Sequence, residues 1–433
     1  MRRQQRSAAA LVLAVSCVAT AQDSSATVDQ DSVAVLDKVV VTATRTETSL
    51  RAVGSAISVV TAEEMEIRQD DMVTDALRGV PGLTLKQTAG PGSDASVFTR
   101  GANAGHTLIL LDGIELHDPI TVVLRGPQST LYGSDAVGGV INLITRRPEG
   151  RPSFYVLGEG GSYRTFRGAA GSQGRIGWVD YSLGLSRMDT EGFSSAREKD
   201  GNTEPDGFEA TTACARIGVT PLSTFGLNVL ARATQSEVDL DNSGGPGGDD
   251  PNNVEELTQW AVRAQAHLDL FDARWRQQLG VSLTHYDMRN DNDPDAAHAG
   301  DLVRSSYVGQ MLKVQWMNTV RIGKANVVVA GIEAEQDQGR STYRSDGMWG
   351  PYESNLPLKS DWDIAGYAQD QLRLWDAWFT TAGVRLDYSR TDTLVPTFRV
   401  ASAYVVDRTG TKVRASVGSG FRAPSIYQLY SEY

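Results

Sequence analysis

The chain is 433 residues long, carries a formal net charge of −12, and holds 43 glycines against 7% aromatic residues. That balance suits many short strands and turns. It excludes the basic face that nucleic-acid binding requires, and no apolar run after residue 23 reaches the roughly 18 residues of a membrane-spanning helix.

In chain order, residues 1–21 carry a secretion leader: Arg2, Arg3 and Arg6 precede the apolar run 8–15, and Ala19-Thr20-Ala21 offers a small-x-small cleavage site. Cys17 follows Ala14-Val15-Ser16, a poor match to a lipid-attachment site. Cleavage leaves Cys214 alone, which excludes an intramolecular disulfide even in an oxidising compartment. Residues 22–36 read as a flexible polar tail. Residues 37–43 (Asp37, Lys38, Val39, Val40, Val41, Thr42, Ala43) are rich in β-branched side chains, so they suit either a free edge strand or an ordinary first strand of the next domain.

Residues 44–148 read as a small mixed α/β domain. A helix is predicted over 61–80, with Thr61 as cap, Glu64 in the capping-box position, Met72, Leu77 and Val80 on an apolar stripe, and Pro81-Gly82 as the stop. Strand-like runs follow at 83–86, 95–100 and 107–111. The glycines of 133–139 lack the Lys-Ser/Thr of a phosphate loop and any dinucleotide-binding spacing, so they are predicted to allow close backbone packing.

From residue 149 the period changes to two. Trp378, Thr380, Ala382, Val384, Leu386 and Tyr388 fall on one face, while Phe379, Thr381, Gly383, Arg385 and Asp387 fall on the other. The same split recurs over 177–188 and 276–287. Short links are predicted at 220–223, 271–274, 321–324 and 376–377, and long polar ones at 189–210, 236–258, 288–306 and 339–360. Short turns on one rim and long loops on the other suit an antiparallel transmembrane barrel, with Trp178, Phe225, Phe271, Trp275, Trp375 and Trp378 as an aromatic girdle beside the short turns. A soluble sandwich or propeller shares the alternation but not the asymmetry of its loops.

Within the long loops, Asp200, Glu204 and Asp206 stand in one, and Asp239, Asp241, Asp249 and Asp250 in the next. Neighbouring hairpins can bring such hard oxygens around a structural calcium ion, although a solvated acidic face has the same composition. No Ser/His/Asp set stands out among only 5 histidines, and no enzymatic role is expected.

The chain resembles the TonB-dependent outer-membrane receptors, and among them most closely the cobalamin (vitamin B12) transporters. The resemblance rests on DKVVVTATR at 37–45, DALRGVPGL at 75–83, FTRGANAGHTLILLDGIEL at 98–116, LRGPQSTLYGSDAVGGVINLITRR at 124–147 and GFRAPSIYQLY at 420–430. It implies an N-terminal α/β plug inside an antiparallel transmembrane β-barrel, in the outer membrane of a Gram-negative-type bacterium and in contact with its lipid. It also implies that residues 37–43 are the TonB box, captured by TonB with its ExbB/ExbD complex. Arg100 and Arg125 would lock plug to barrel by charge. Ser93, Asp94, Ser96, Asn103 and His117 would face the substrate, a scarce bulky chelate: cobalamin first, a ferric siderophore second. Calcium orders the corresponding loops in cobalamin transporters.

Two departures qualify these expectations. Only residues 114–124 separate Asp112-Gly113 from Arg125-Gly126, shorter than the family's usual segment, so a substrate-facing loop is expected to be missing. About thirteen strand-like segments follow residue 150, against about 22 in the family. A partial barrel is therefore expected, from a truncated gene, an incomplete record or a split product, and a non-transporting remnant or surface-binding protein is the alternative to a transporter.

Overall fold

A computed structural model describes residues 39–40, 44–70, 72–115, 124–125, 128–134, 136–145, 148, 150–242, 247–296, 298–347, 350–389 and 393–431. The leader, the tail, and Asp37, Lys38, Val41, Thr42, Ala43 and His117 lie outside them.

The first domain comprises β1 (Val39–Val40), β2 (Thr48–Ser49), β3 (Ala56–Ile57), α1 (Ala62–Arg68), α2 (Val73–Arg78), β4 (Leu83–Gln87), β5 (Ala95–Thr99), β6 (Thr107–Leu111), β7 (Ile114–Glu115), β8 (Leu124–Arg125), α3 (Ser129–Tyr132) and β9 (Gly139–Leu143). A five-stranded sheet runs in the order β3-β8-β9-β6-β7, with β6 and β9 parallel, while β4 and β5 form a separate hairpin-like pair. The Thr61 hydroxyl accepts from the Glu64 amide at 3.1 Å and the Glu64 carboxylate accepts from the Thr61 amide at 2.9 Å, so the capping box forms as expected. The helix it starts is shorter than predicted. Gln69 takes a left-handed φ of +55° and closes α1, and Asp75 accepts from the Met72 amide at 3.2 Å to start α2. The apolar stripe belongs to α2 and its flanks, with Met72 as N-cap and Ala76 and Leu77 buried, while α1 buries nothing.

Thirteen antiparallel strands follow in simple meander order: β10 (Ser153–Gly160), β11 (Phe166–Ile176), β12 (Val179–Thr190), β13 (Phe208–Leu222), β14 (Phe225–Asp239), β15 (Val254–Leu270), β16 (Trp275–Asn292), β17 (Leu302–Ile322), β18 (Asn326–Asp346), β19 (Tyr352–Leu374), β20 (Trp378–Ser389), β21 (Thr393–Val406) and β22 (Thr411–Gly418). A short helix, α4 (Ile426–Tyr430), comes last. Among the described residues β10 and β22 each have one partner, so the sheet is a partial barrel wall with two open edges.

Alternation assigns the faces. On β20, Val384, Leu386 and Tyr388 are 59%, 51% and 49% exposed, whereas Arg385 and Asp387 between them are 5% and 6% exposed. The apolar face looks outward, as a lipid-facing wall requires, and the polar face looks onto the plug. Trp178, Phe271, Trp375 and Trp378 are exposed beside the short turns, with ring centroids of Phe271 and Trp275, and of Trp375 and Trp378, both 6.3 Å apart. The loop expected at 339–360 is a correction: β18 continues through it to Asp346 and β19 starts at Tyr352. Ser, Arg and Asp side chains there read as loop because both faces of a ladder that outgrows the apolar band meet water. Tyr343 and Tyr352 brace that extension across the strands, 6.0 Å apart.

The plug and wall share their apolar core. Leu77, Val80, Val97, Ile109 and Ile141 form a cluster internal to the plug. Val53, Leu108, Leu110, Leu131, Tyr132, Ala136 and Val140 instead pack with Met317, Val329 and Tyr367 of the wall, and Leu111 and Ile114 pack with Leu230 and Ala261. Gly54 makes that approach possible. A Cβ there would stand 2.6 Å from the Ser402 amide nitrogen and 2.8 Å from the Ala401 carbonyl carbon of β21, backbone atoms that cannot swing aside. Gly54→Val is expected to cost about 1–3 kcal/mol and to raise protease access to the plug. A melting temperature and cleavage pattern like the wild type's would refute this contact.

Candidate functional site

Three groups of residues converge between plug and wall. The first is an ionic cluster around Glu333 on β18, which is 4% exposed. Its carboxylate accepts from the Arg385 guanidinium of β20, and Arg45 and Lys313 stand 3.7 and 3.8 Å away. Arg385 also donates to Asp387 at 2.8 Å. Lys313 of β17 pairs with Glu335 at 2.9 Å and with Glu115 of the plug. Arg45 lies over the rings of Tyr132 and Tyr367, 4.7 and 5.0 Å from their centroids, and donates to the Tyr367 hydroxyl at 2.8 Å. Gly133, at φ +81°, leaves room for Arg385: a Cβ would come within 2.8 Å of its guanidinium. The glycine turn therefore serves close packing, as expected.

The second group fastens the segment that follows β1. Gln371 and Gln369 bond Thr46 and the Thr44 carbonyl, Lys412 donates to the Leu50 carbonyl at 2.6 Å, Arg51 pairs with Asp407, and Arg399 donates to Ser55. Farther on, Arg263 donates to the Asp112 carbonyl. Five of these six links run from wall cations or glutamine amides to plug backbone or hydroxyls. They tie without the desolvation cost of a second buried ion.

The expected lock is corrected at Arg100. Arg100 is exposed at a left-handed turn (φ +53°), uses its backbone amide to bond the Gly82 carbonyl, and has no ion pair among the described residues. Arg125 belongs to β8, but its side chain lies outside what is described. Arg45 and Glu115 of the plug instead make the buried ion pairs to Glu333 and Lys313 of the wall, with Arg385 beside them. Of the TonB-box-like residues, Val39 and Val40 form β1 and pair with Ser49 and Thr48 of β2 in a two-stranded sheet, so among the described residues one edge of β1 is taken and the other is open.

The third group is the outer rim. Ser93 is buried and shapes its own loop, donating to the Gly90 carbonyl at 2.8 Å. Asp94 and Asn103 are exposed, and Ser96 is half-buried on β5 opposite Lys86. The same loop reaches the wall at Gly92, where a Cβ would overlap the Phe208 ring at the rim end of β13. Above it the acidic residues sort into two sets. Asp241 and Asp249 both accept from the Ser194 hydroxyl, at 3.4 and 3.1 Å; Asp206 accepts from the Ser195 amide at 2.6 Å, and Asp239 from the Gly207 amide at 3.2 Å. Burial, aggravated by Asp249, Asp206, Asp241 and Asp239, pushes the Glu204 carboxyl up to about 7. Burial likewise lifts Asp241 to about 6, with Asp206 and Asp249 adding repulsion. Asp200 stands apart, paired with Arg197 at 3.8 Å, and Asp250 turns toward Asn292 and His298. Five of the seven expected oxygen donors therefore gather, and Asp200 and Asp250 do not join them.

A cavity of about 450 Å³ lies beside the Glu333 cluster, lined by Glu115 and Tyr132 of the plug, Lys313, Asp337 and Asp363 of the wall, and Ile426 of α4. The Ala423 amide donates to the Ser134 hydroxyl at 2.9 Å, joining the final segment to the plug.

Residues 49–140 match the TonB-dependent Receptor Plug Domain, and residues 301–433 match the TonB dependent receptor-like, beta-barrel domain. The vitamin B12 transporter BtuB of Photobacterium profundum is 27% identical over 418 residues, covering 91% of this chain and 63% of that protein. The ferripyoverdine receptor of Pseudomonas aeruginosa superposes with a TM-score of 0.70 at 15% identity, covering 90% of this chain and 60% of its own. The ferric yersiniabactin uptake receptor FyuA of Yersinia pestis gives 0.65 at 17% identity, covering 84% and 60%. The chain thus spans about three-fifths of the length of these relatives. Plug, wall and the order of the two domains place it with them: the chain belongs to the TonB-dependent receptor family.

Proposed function

We propose that the chain acts in the outer membrane of a Gram-negative-type bacterium, in contact with its lipid, as the receptor and energised importer of a scarce bulky chelate, cobalamin in the first place. TonB, working with ExbB/ExbD, would exchange β2 for its own strand against β1 and pull on residues 37–43. No covalent chemistry is needed. The observation that carries the reading is the rim set Glu204, Asp206, Asp239, Asp241 and Asp249, poised above the plug loop that touches Phe208. Similarity to a vitamin B12 transporter over 91% of the chain favours cobalamin over a ferric siderophore.

The donor type of the rim set suits calcium, since all are hard oxygens and the buried Asp241 Oδ1 has no hydrogen-bond partner, and an ion would draw its carboxylates closer than they now stand. Bound calcium would draw two loops, 191–207 and 240–253, into one surface for the ligand. Carboxyls raised to about 7 and about 6 hold their protons in the folded loops better than in the unfolded chain. They favour the folded loops at low pH, and that contribution is lost as pH rises through these values. Calcium competes with those protons. Its affinity should therefore rise between about pH 5.5 and 7.5, and cobalamin affinity should fall in chelator and recover with added calcium. Isothermal titration at three pH values checks both. Cobalamin binding indifferent to calcium would remove the rim set from the ligand site, and tight binding of a ferric siderophore with none of cobalamin would overturn the choice of substrate.

A further inference from the structure

Beside the five-carboxylate set, and separate from it, the loops 240–253 and 293–301 meet at Asp250, Asp295 and His298, whose donor atoms all lie within 4.8 Å of one another. We propose that this trio is a binding site for a divalent transition-metal ion, zinc first, which staples the two loops together.

Three observations carry it. The Asp250 side chain is wholly buried, and its Oδ1 has no hydrogen-bond partner. Its other oxygen is held by the Asn292 amide at 2.8 Å, which orients the carboxylate. A buried carboxylate oxygen without a hydrogen-bond donor is costly unless a cation takes it up.

The imidazole completes the pattern. His298 Nε2 donates to the Gly247 carbonyl at 3.0 Å, which in the neutral ring leaves Nδ1 as the lone-pair nitrogen. A backbone carbonyl fixing the remote ring nitrogen is the usual support of a metal-bound histidine. Nδ1 faces Asp295 Oδ1 at 3.4 Å and Asp250 Oδ1 at 4.0 Å, yet makes no hydrogen bond. Two ligands on a tetrahedral ion with bonds of about 2.1 Å stand roughly 3.4 Å apart, so the His298–Asp295 pair already has the spacing of two ligands.

The donor set also chooses the metal. Two carboxylates offset a dication, and one imidazole nitrogen favours zinc or a neighbouring first-row ion over calcium, which prefers oxygen alone. The Glu204 set has no nitrogen donor. Two adjacent sites of different chemistry would then fasten three outer loops, 191–207, 240–253 and 293–301.

The test uses the purified receptor, stripped with chelator and then saturated with calcium, and titrated with zinc against a chromophoric competitor. One zinc per chain is expected, undisplaced by excess calcium. His298→Gln and Asp250→Asn should each weaken zinc by at least about tenfold, while Glu204→Gln should leave zinc binding intact and weaken calcium. X-ray absorption on the zinc-loaded wild type should show imidazole scattering, a reading that stands even if a variant misfolds. Absence of zinc binding in the wild type, equal binding by His298→Gln, or a purely oxygen shell would each overturn the proposal.

Discussion

Replacing Glu333 with alanine is expected to loosen the plug more than any other single change in the chain. Arg385 would keep Asp387, and Lys313 would keep Glu115 and Glu335, but Arg45 has no other carboxylate within ion-pair reach among the described residues. Removing one partner of a buried ionic cluster costs about 3–5 kcal/mol, because the remaining charges stay desolvated. The loss should appear as a lower melting temperature and as faster amide exchange in residues 44–52, which Arg45 helps to hold. Glu333→Gln keeps the shape and loses the charge, so an intermediate effect is expected. Exchange in 44–52 unchanged in both variants would show that the glutamine, lysine and arginine bonds to plug backbone suffice.

Val40→Pro should abolish energised uptake while leaving surface binding of the ligand intact. β1 is a two-residue strand that pairs with β2 on one side, so a partner strand can add at its other edge or displace Thr48 and Ser49. Proline at 40 removes a backbone donor and fixes φ, which weakens strand exchange whichever chain supplies the other edge. The ties just downstream decide where force arrives: Thr44, Arg45, Thr46, Leu50 and Arg51 are each bonded to the wall. A pull on β1 meets those bonds before it meets the plug core. Uptake undiminished in Val40→Pro cells would remove residues 37–43 from the coupling role.

Much of the fold was legible because its signals are local. The capping box at Thr61 and Glu64, the two-residue period on β20 and the girdle beside Trp375 and Trp378 each lie within one short window. The break at Gln69 was hidden, since no glycine or proline marks it and only the left-handed turn betrays it. The extended ladder of β18 and β19 was hidden for a different reason. Outside the apolar band a strand has water on both faces, and its sequence then looks like a loop.

The plug lock was illegible by distance rather than by lack of signal. Arg45 and Tyr367 are 322 positions apart, as are many partners in this interface, and no window joins them. A usable hint stood in the sequence nonetheless. In strands whose alternation is otherwise apolar and small, Glu333 and Arg385 are charged on the inward side, where a charge needs a partner on the neighbouring strand or the plug. In the rim loops composition named the carboxylates, but it could not separate Asp250 from the rest, because its partners Asn292 and His298 come from a later hairpin.

The reading of the chain as a TonB-driven cobalamin receptor is tested most directly by uptake of labelled cyanocobalamin into cells that produce it, compared in otherwise identical strains with and without TonB. Accumulation above the surface-bound level only in the strain with TonB, and its loss in chelator, is the expected result. Equal accumulation without TonB, or no specific binding of cobalamin in either strain, would contradict it.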